Sequence, residues 1–243
     1  MSSLRLIGEP YEFFGPSVVE LMVVTLREKA RLAMATKRRQ ANLQQVITTT
    51  GCGFVAGTRV VTPGGWATVE SLHVGDEVLT FDAGFQRVTA LSTTPIFRHD
   101  YVTPRQFWPI FVPAGVLENR HGLLVQPGQG VLVESPSVRD KWGDPYAVIP
   151  GAALDVLDVT YRKEPATPLN AVLPVFAEDH MVFVNGGALL FSQCIWGVHA
   201  GVQPRFGRAA NYNMMPVQAA ITMLESGAVR NVQAKPEIML AAA

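Results

Sequence analysis

Gly53-Phe54-Val55-Ala56-Gly57-Thr58-Arg59-Val60-Val61-Thr62-Pro63-Gly64-Gly65-Trp66 reads as short strands reversed at glycine and proline. The same texture continues for more than a hundred residues. Short β-branched or apolar runs recur at Thr58–Thr62, Trp66–Val69, Glu77–Phe81, Phe85–Ala90, Trp108–Val112, Gly122–Val133 and Met181–Val184. Turn signals fall at Pro63–Gly65, Asp82–Gly84, Pro127–Gly130 and Asn185–Gly187. Many short strands with frequent turns indicate an all-β domain. It begins near Gly51, where the composition changes abruptly.

Upstream of Gly51 the chain is of another kind. Residues 1–16 read as an extended arm with Tyr11, Phe13 and Phe14 as apolar anchors. Ser17 and Glu20 form a capping box, in which each side chain satisfies a backbone N–H of the first turn. From Val18 to Ile47 good helix formers run without Gly or Pro. A helix of that length would extend ~45 Å, so a break near Ala35–Thr36 is expected. Its first half is apolar all round and its second half, Lys37–Gln45, is almost wholly polar. Such a helix is expected to be buried on several sides, against a protein partner or a second copy. Downstream, Gly201–Met215 reads as loop, and Val217–Glu225 reads as a short helix with Pro216 at its first position and Gly227 just past its end. Three segments follow: an arm and helix over 1–50 for docking or assembly, a β-domain over 51–195, and a C-terminal extension with a short helix over 196–243.

Composition limits the function classes. Apolar residues make up 48% of the 243-residue chain, enough for a sizeable core. Lys and Arg number 20 and Asp and Glu number 20, so there is no basic excess to hold nucleic acid. The cluster Lys37-Arg38-Arg39 is too short to change that reading and fits a solvated helix face. Two cysteines, Cys52 and Cys194, exclude a disulfide framework or a cysteine-rich metal site and leave a single bridge open. No cofactor and no metal are expected. Val18–Leu26, interrupted by Glu20 and Thr25, falls far short of the ~20 apolar residues of a membrane span. Met1–Pro10 lacks the apolar core and cleavage site of a signal peptide, so synthesis in the cytoplasm is expected, with later incorporation into a particle or exported assembly left open.

The quoted stretch resembles the opening block of Hint domains, the fold shared by inteins and hedgehog autoprocessing modules. Val69, Leu72, Gly75-Asp76, Val78-Leu79-Thr80 and Asp82 are similar to the family's second block. Leu123-Leu124-Val125-Gln126-Pro127-Gly128-Gln129-Gly130-Val131-Leu132-Val133 is similar to the block that carries a Thr/Ser-x-x-His element. Asp179-His180-Met181-Val182-Phe183-Val184-Asn185-Gly186 is similar to a late segment of the bacterial Hint subfamily. The resemblance covers about Gly51 to Ser192. It implies a mainly β fold, a Hint-type horseshoe of short antiparallel strands, here with an N-terminal helical extension and a short C-terminal helix.

It also implies a chemistry, and most of the residues for it are missing. Hint self-processing starts when a Cys or Ser at the first position attacks the preceding carbonyl. The Thr/Ser-x-x-His element polarises that peptide and protonates the departing amine. The place immediately before Phe54 is held by Gly53, which has no side chain. Cys52 lies one residue upstream, and one residue in a strand flips the side chain to the other face unless Gly53 makes a bulge. Gln126 and Gln129 hold the Thr/Ser and His places, and an amide cannot relay a proton near neutral pH. His121, five residues before Gln126, is a candidate substitute acid or a loop histidine. His180 matches a family position and equally suits a strand hydrogen bond. Asn185-Gly186 is a turn signal and lacks the His-Asn-nucleophile ending that splicing needs.

The sequence therefore favours a non-catalytic, degenerate Hint-fold protein with a structural or interaction role, such as a component of a bacterial surface assembly or phage-like particle. One alternative is an autoprocessing module that cleaves its own chain at Cys52. Another is a polysaccharide-binding attachment module, with Trp108, Trp142 and Trp196 as stacking candidates.

Overall fold

The computed structural model describes residues 52–97, 103–165, 168–192, 212 and 214–232. The chain divides into two units, Met1–Leu43 and Gln44–Ala243, and every described residue belongs to the second. The expected helix Val18–Ile47, its basic cluster, Cys194 and Trp196 lie outside the described residues.

The opening block folds as strand β1 (Phe54–Val55), β2 (Arg59–Thr62) and β3 (Gly65–Thr68). Thr62 pairs with Gly65 across the Pro63-Gly64 turn, and the Thr62 hydroxyl donates to the Gly65 carbonyl at 2.8 Å. Gly65 takes φ +108°, a conformation that glycine adopts without steric cost. A 3-10 turn, Val69–Ser71, leads to the hairpin β4 (Glu77–Thr80) and β5 (Gly84–Arg87). Then come β6 (Ala90–Phe97), β7 (Ile110–Val112), β8 (Leu123–Val125), β9 (Gly130–Glu134), β10 (Tyr146–Pro150), β11 (Tyr161–Arg162), β12 (Leu169–Val175), β13 (His180–Val184) and β14 (Ala188–Ser192).

The strands build three antiparallel sheets. The largest runs β10-β9-β14-β13-β2-β3, with β4 also paired to β13 and β5 to β4. β12 lies between β1 and β6, and β7 between β11 and β8. Val131, Val133, Val182, Val184 and Leu190 of the central strands meet Phe54, Ile110, Leu123 and Ile149 in one continuous core. β9 is buried at all but its last position, so its run of Val and Leu follows the continuous apolar pattern of a strand covered on both faces.

Several strands differ from the sequence expectation. The run expected at Gly122–Val133 is broken into β8 and β9 by a tight turn, with the Gln129 N–H on the Gln126 carbonyl at 3.0 Å. β6, β10, β12 and β14 had no clear local signal. β6 and β12 hold each other across more than seventy residues, β10 pairs with β9 and β14 with β13, and Pro95, Pro150 and Pro174 interrupt three of the four.

The C-terminal helix α1 spans Val217–Glu225, with Pro216 at its N-cap, one place earlier than expected. Ala220, Met223 and Leu224, at i, i+3 and i+4, face inward and join the main core beside Ala153 and Leu154. The flanking residues fasten to the outer strands. The Met215 N–H donates to the Val148 carbonyl at 2.7 Å, and Met214 forms a bridge to Val148 on the outer side of β10. Glu134 N–H donates to Asn231 Oδ1 at 2.7 Å, and Arg230 N–H returns to the Glu134 carbonyl at 2.9 Å. An otherwise open sheet edge is thereby covered. Among the described residues no helix is long and apolar enough to cross a membrane.

If α1 is part of the core, Leu224→Ala should destabilise the whole domain by about 2–4 kcal/mol in urea unfolding, in one cooperative transition. Unfolding of α1 alone, with the β-sheet signal unchanged, would contradict this.

Candidate functional site

Gly53 stands at the entry to β1. Its φ of +111° lies where L side chains rarely go, and a Cβ there would come 3.3 Å from the Ala171 Cβ on β12. The pairing of Phe54 with Val172 and Val55 with Ala171 fixes this approach. From the other side, the turn between β8 and β9 presents Gln126 and Gln129, both buried.

The two glutamines take hold of Gly53 at both ends. Gln126 Nε2 donates to the Gly53 carbonyl at 2.6 Å. The Gly53 N–H donates to Gln129 Oε1 at 2.9 Å. Gln129 Nε2 then donates to the carbonyls of Phe191, at 2.7 Å, and Gly130, at 3.0 Å. One acceptor and two donors are needed at that spot, which only a carboxamide in this orientation supplies. The nitrogen that faces residue 129 is that of the Cys52–Gly53 peptide.

Cys52 is a free, half-buried thiol. Burial pushes its pKa up, only partly offset by a hydrogen bond from its own backbone, and no charged group assists ionisation. Burial therefore favours the protonated thiol. His121 is exposed between β7 and β8, where its backbone N–H reaches the Asn185 carbonyl at 3.3 Å. Asn185 adopts φ +47° and is buried. Its Oδ1 accepts from Arg59 N–H at 2.8 Å and its Nδ2 donates to the Gly122 carbonyl at 2.8 Å. Both ends of its amide thus join β2, β13 and the approach to β8. Behind it, a Cβ on Gly187 would fall 2.1 Å from the Glu118 carbonyl oxygen.

With the fold and these contacts in view, comparison places the chain. The Hint-domain family model matches residues 52–190, more than half of the sequence. The chain belongs to the Hint-domain family. Among solved structures it is similar to the bacterial intein-like domain from Clostridium thermocellum, at 13% identity over 57% of this chain and 97% of that one, with a TM-score of 0.37. It is also similar to the MchDnaB-1 intein, at 16% identity over 56% and 98% of the two chains and a TM-score of 0.32. The Msm DnaB1 intein splicing domain bound with zinc gives 15% identity, the same shares of 56% and 98%, and a TM-score of 0.32. No curated protein matches the sequence.

A second polar cluster of this Hint domain lies around His180. The buried imidazole's Nδ1 is 3.0 Å from Asp82 Oδ1, and the Phe176 ring meets it edge-on at 5.6 Å. The Tyr212 hydroxyl donates to Asp82 Oδ2 at 3.1 Å. Burial raises the Tyr212 phenol's pKa well above its usual value, and the neighbouring Asp82 charge adds to the effect. Across the β13–β14 pairing from His180 lies Ser192, whose hydroxyl donates to the Pro174 carbonyl. Sequence reading noted Asp82 as a turn residue and gave no signal for Tyr212, because a single aromatic residue in a loop has no periodicity to betray it. Trp108 is half-buried, with its indole N–H on the Thr103 carbonyl at 2.8 Å, while Trp142 is exposed. Among the described residues no group of three or more His, Cys, Asp or Glu is placed to hold a metal ion.

Two predictions follow from these contacts. Gln129→Glu would aim a carboxylate at two carbonyl oxygens, so its folded pKa should be raised above the unfolded value. The variant should approach wild-type stability below about pH 4 and lose about 1–3 kcal/mol as the pH rises to 7, in denaturant titrations at several pH values.

Burial works to raise the Asp82 carboxyl, but the hydrogen bond and charge of His180, its own backbone and Tyr212 together bring it below the usual carboxylate value. The stability that Asp82 adds should be complete above about pH 4 and fade as the pH falls through the folded value. Asp82→Asn should be less stable than wild type at pH 7, and the gap should narrow on acidification.

Proposed function

We propose that this protein is a Hint domain that does not cut itself and acts as a rigid β-scaffold. On this reading residues 1–50 stay attached and carry the docking surface for a protein partner or a second copy of the chain. Such a role suits a component of a bacterial surface assembly or phage-like particle.

The observation that carries the reading is the Gly53 grip. The residue whose nitrogen faces position 129 is glycine, so no side chain stands ready to attack the preceding carbonyl. The groups around it are amides, which bind a peptide and do not exchange protons with it near neutral pH. General acid help, typically worth about 10²–10⁴-fold, is absent from both positions. Cys52 would have to attack the Gly51 carbonyl, form a thioester and release its own nitrogen as a protonated amine. The nitrogen held at residue 129 is the next one along the chain. The C-terminal side supports the same reading. Release of the chain after Ser192 would remove Ala220, Met223 and Leu224 from the core.

Intact-mass spectrometry of the full chain, incubated with dithiothreitol or with hydroxylamine to trap any thioester, tests this. A single species at the full mass is expected. A fragment ending at Gly51, absent from Cys52→Ala, would restore the autoprocessing reading. Size in solution tests the docking role. Deletion of residues 1–48 should leave a folded monomer, and full-length protein should be larger than one copy or bind a partner through that segment.

A further inference from the structure

We propose that a cleft on the far end of the large sheet, separate from Gly53, binds a neutral saccharide. The cleft has a volume of about 460 Å³ and lies between the Val138–Lys141 turn, β10, Tyr212 and Met214–Pro216. Ligand sites commonly fall in the range of ~300–1,000 Å³. Leu132, Val148 and Met214 provide an apolar floor, and the rings of Tyr146 and Tyr212 form walls. Beside the lining residue Lys141, Trp142 is 55% exposed, meets Tyr212 edge-on with centroids 5.5 Å apart, and carries the Lys141 ammonium over one face at 4.3 Å.

The charges decide the ligand class. Arg139 and Lys141 stand on the rim beside Asp140, whose Oδ1 accepts from the N–H groups of Trp142 and Asp144 at 2.9 Å each. Asp144 follows on the same turn, and Glu134 nearby is paired with Arg230 at 3.0 Å. Neither sign is in excess, so a phosphate or a carboxylate gains nothing from the rim as a whole. A purely apolar guest would strand three charged side chains over its surface. A sugar satisfies both halves. The C–H face of a pyranose covers an aromatic ring, and its hydroxyls both donate and accept at a rim of mixed sign.

The wall is also built to keep its shape. Tyr212 is fixed through its hydroxyl to Asp82, which is held in turn by buried His180, and its ring packs edge-on against Phe191 at 5.7 Å. A wall fixed before binding loses little freedom when a ligand arrives. Tyr212 and Met214–Pro216 lie beyond the part of the chain that matches the Hint family, so one side of the cleft is built by residues outside that match. The His180–Asp82–Tyr212 cluster is assigned a positioning role here.

The test uses the full-length chain on a printed array of neutral and acidic oligosaccharides, followed by saturation-transfer NMR with each neutral sugar retained. Saturation is expected to reach the sugar C–H protons, and Trp142→Ala and Tyr146→Ala should each weaken binding about tenfold. Both side chains are at least partly exposed, so the variants should melt near the wild-type temperature, which a thermal scan checks. Failure of every neutral glycan, binding of acidic glycans alone, or unchanged affinity in both variants would overturn the proposal. None of these outcomes bears on whether the chain cuts itself, which the intact mass reads separately.

Discussion

A buried peptide group must find hydrogen-bond partners, and around Gly53 that requirement is met by side chains instead of by a neighbouring strand. The Gly53 carbonyl and N–H both point into protein interior that water does not reach, where an unpaired group would cost about 1–3 kcal/mol. Gln126 and Gln129 meet both needs, and Gln129 uses its remaining donors on Phe191 and Gly130. A single side chain thus ties the start of β1 to the turn before β9 and to the end of β14. The first strand enters the core at a fixed height and angle because these bonds allow no other.

On the proposed reading, the same constraint keeps the site chemically quiet. A constellation that satisfies every polar group around a peptide bond stabilises its ground state. Catalysis needs groups that bind better as the bond breaks. Here the hydrogen bonds are made to the intact peptide, and residue 53 is glycine. Cys52 is close in sequence, but burial keeps its thiol protonated. The alanine Cβ of residue 171 lies where a side chain on residue 53 would need room.

Asn185 plays a comparable part at the opposite end of β13. Its backbone turns through positive φ while its amide links β2 to the segment entering β8, so three parts of the chain meet on one residue. The C-terminal segment completes the design. Helix α1 fills the core from one side, and Met214, Met215, Arg230 and Asn231 close hydrogen bonds that the outer strands would otherwise leave to solvent. What lies downstream of the family match is therefore part of the fold and also supplies one wall of the cleft beside Trp142.

The sequence by itself determined the fold class, the first hairpin and the C-terminal helix. Those depend on local rules: alternation of apolar residues, glycine at turns, and i, i+3, i+4 spacing between Pro216 and Gly227. By resemblance alone it marked Gly53, Gln126, Gln129, His180 and Asn185 as family-equivalent positions. It gave the place before Phe54 to Gly53 and kept Cys52 as a candidate through a bulge, since a one-residue bulge leaves no trace in composition. Only the tertiary structure shows which nitrogen faces Gln129, because the two lie more than seventy residues apart. For the same reason β6 and β12 were not legible. Each is made by a partner distant in the chain, and the pairing of Asp82 with His180 and Tyr212 exists only once such distant parts have met.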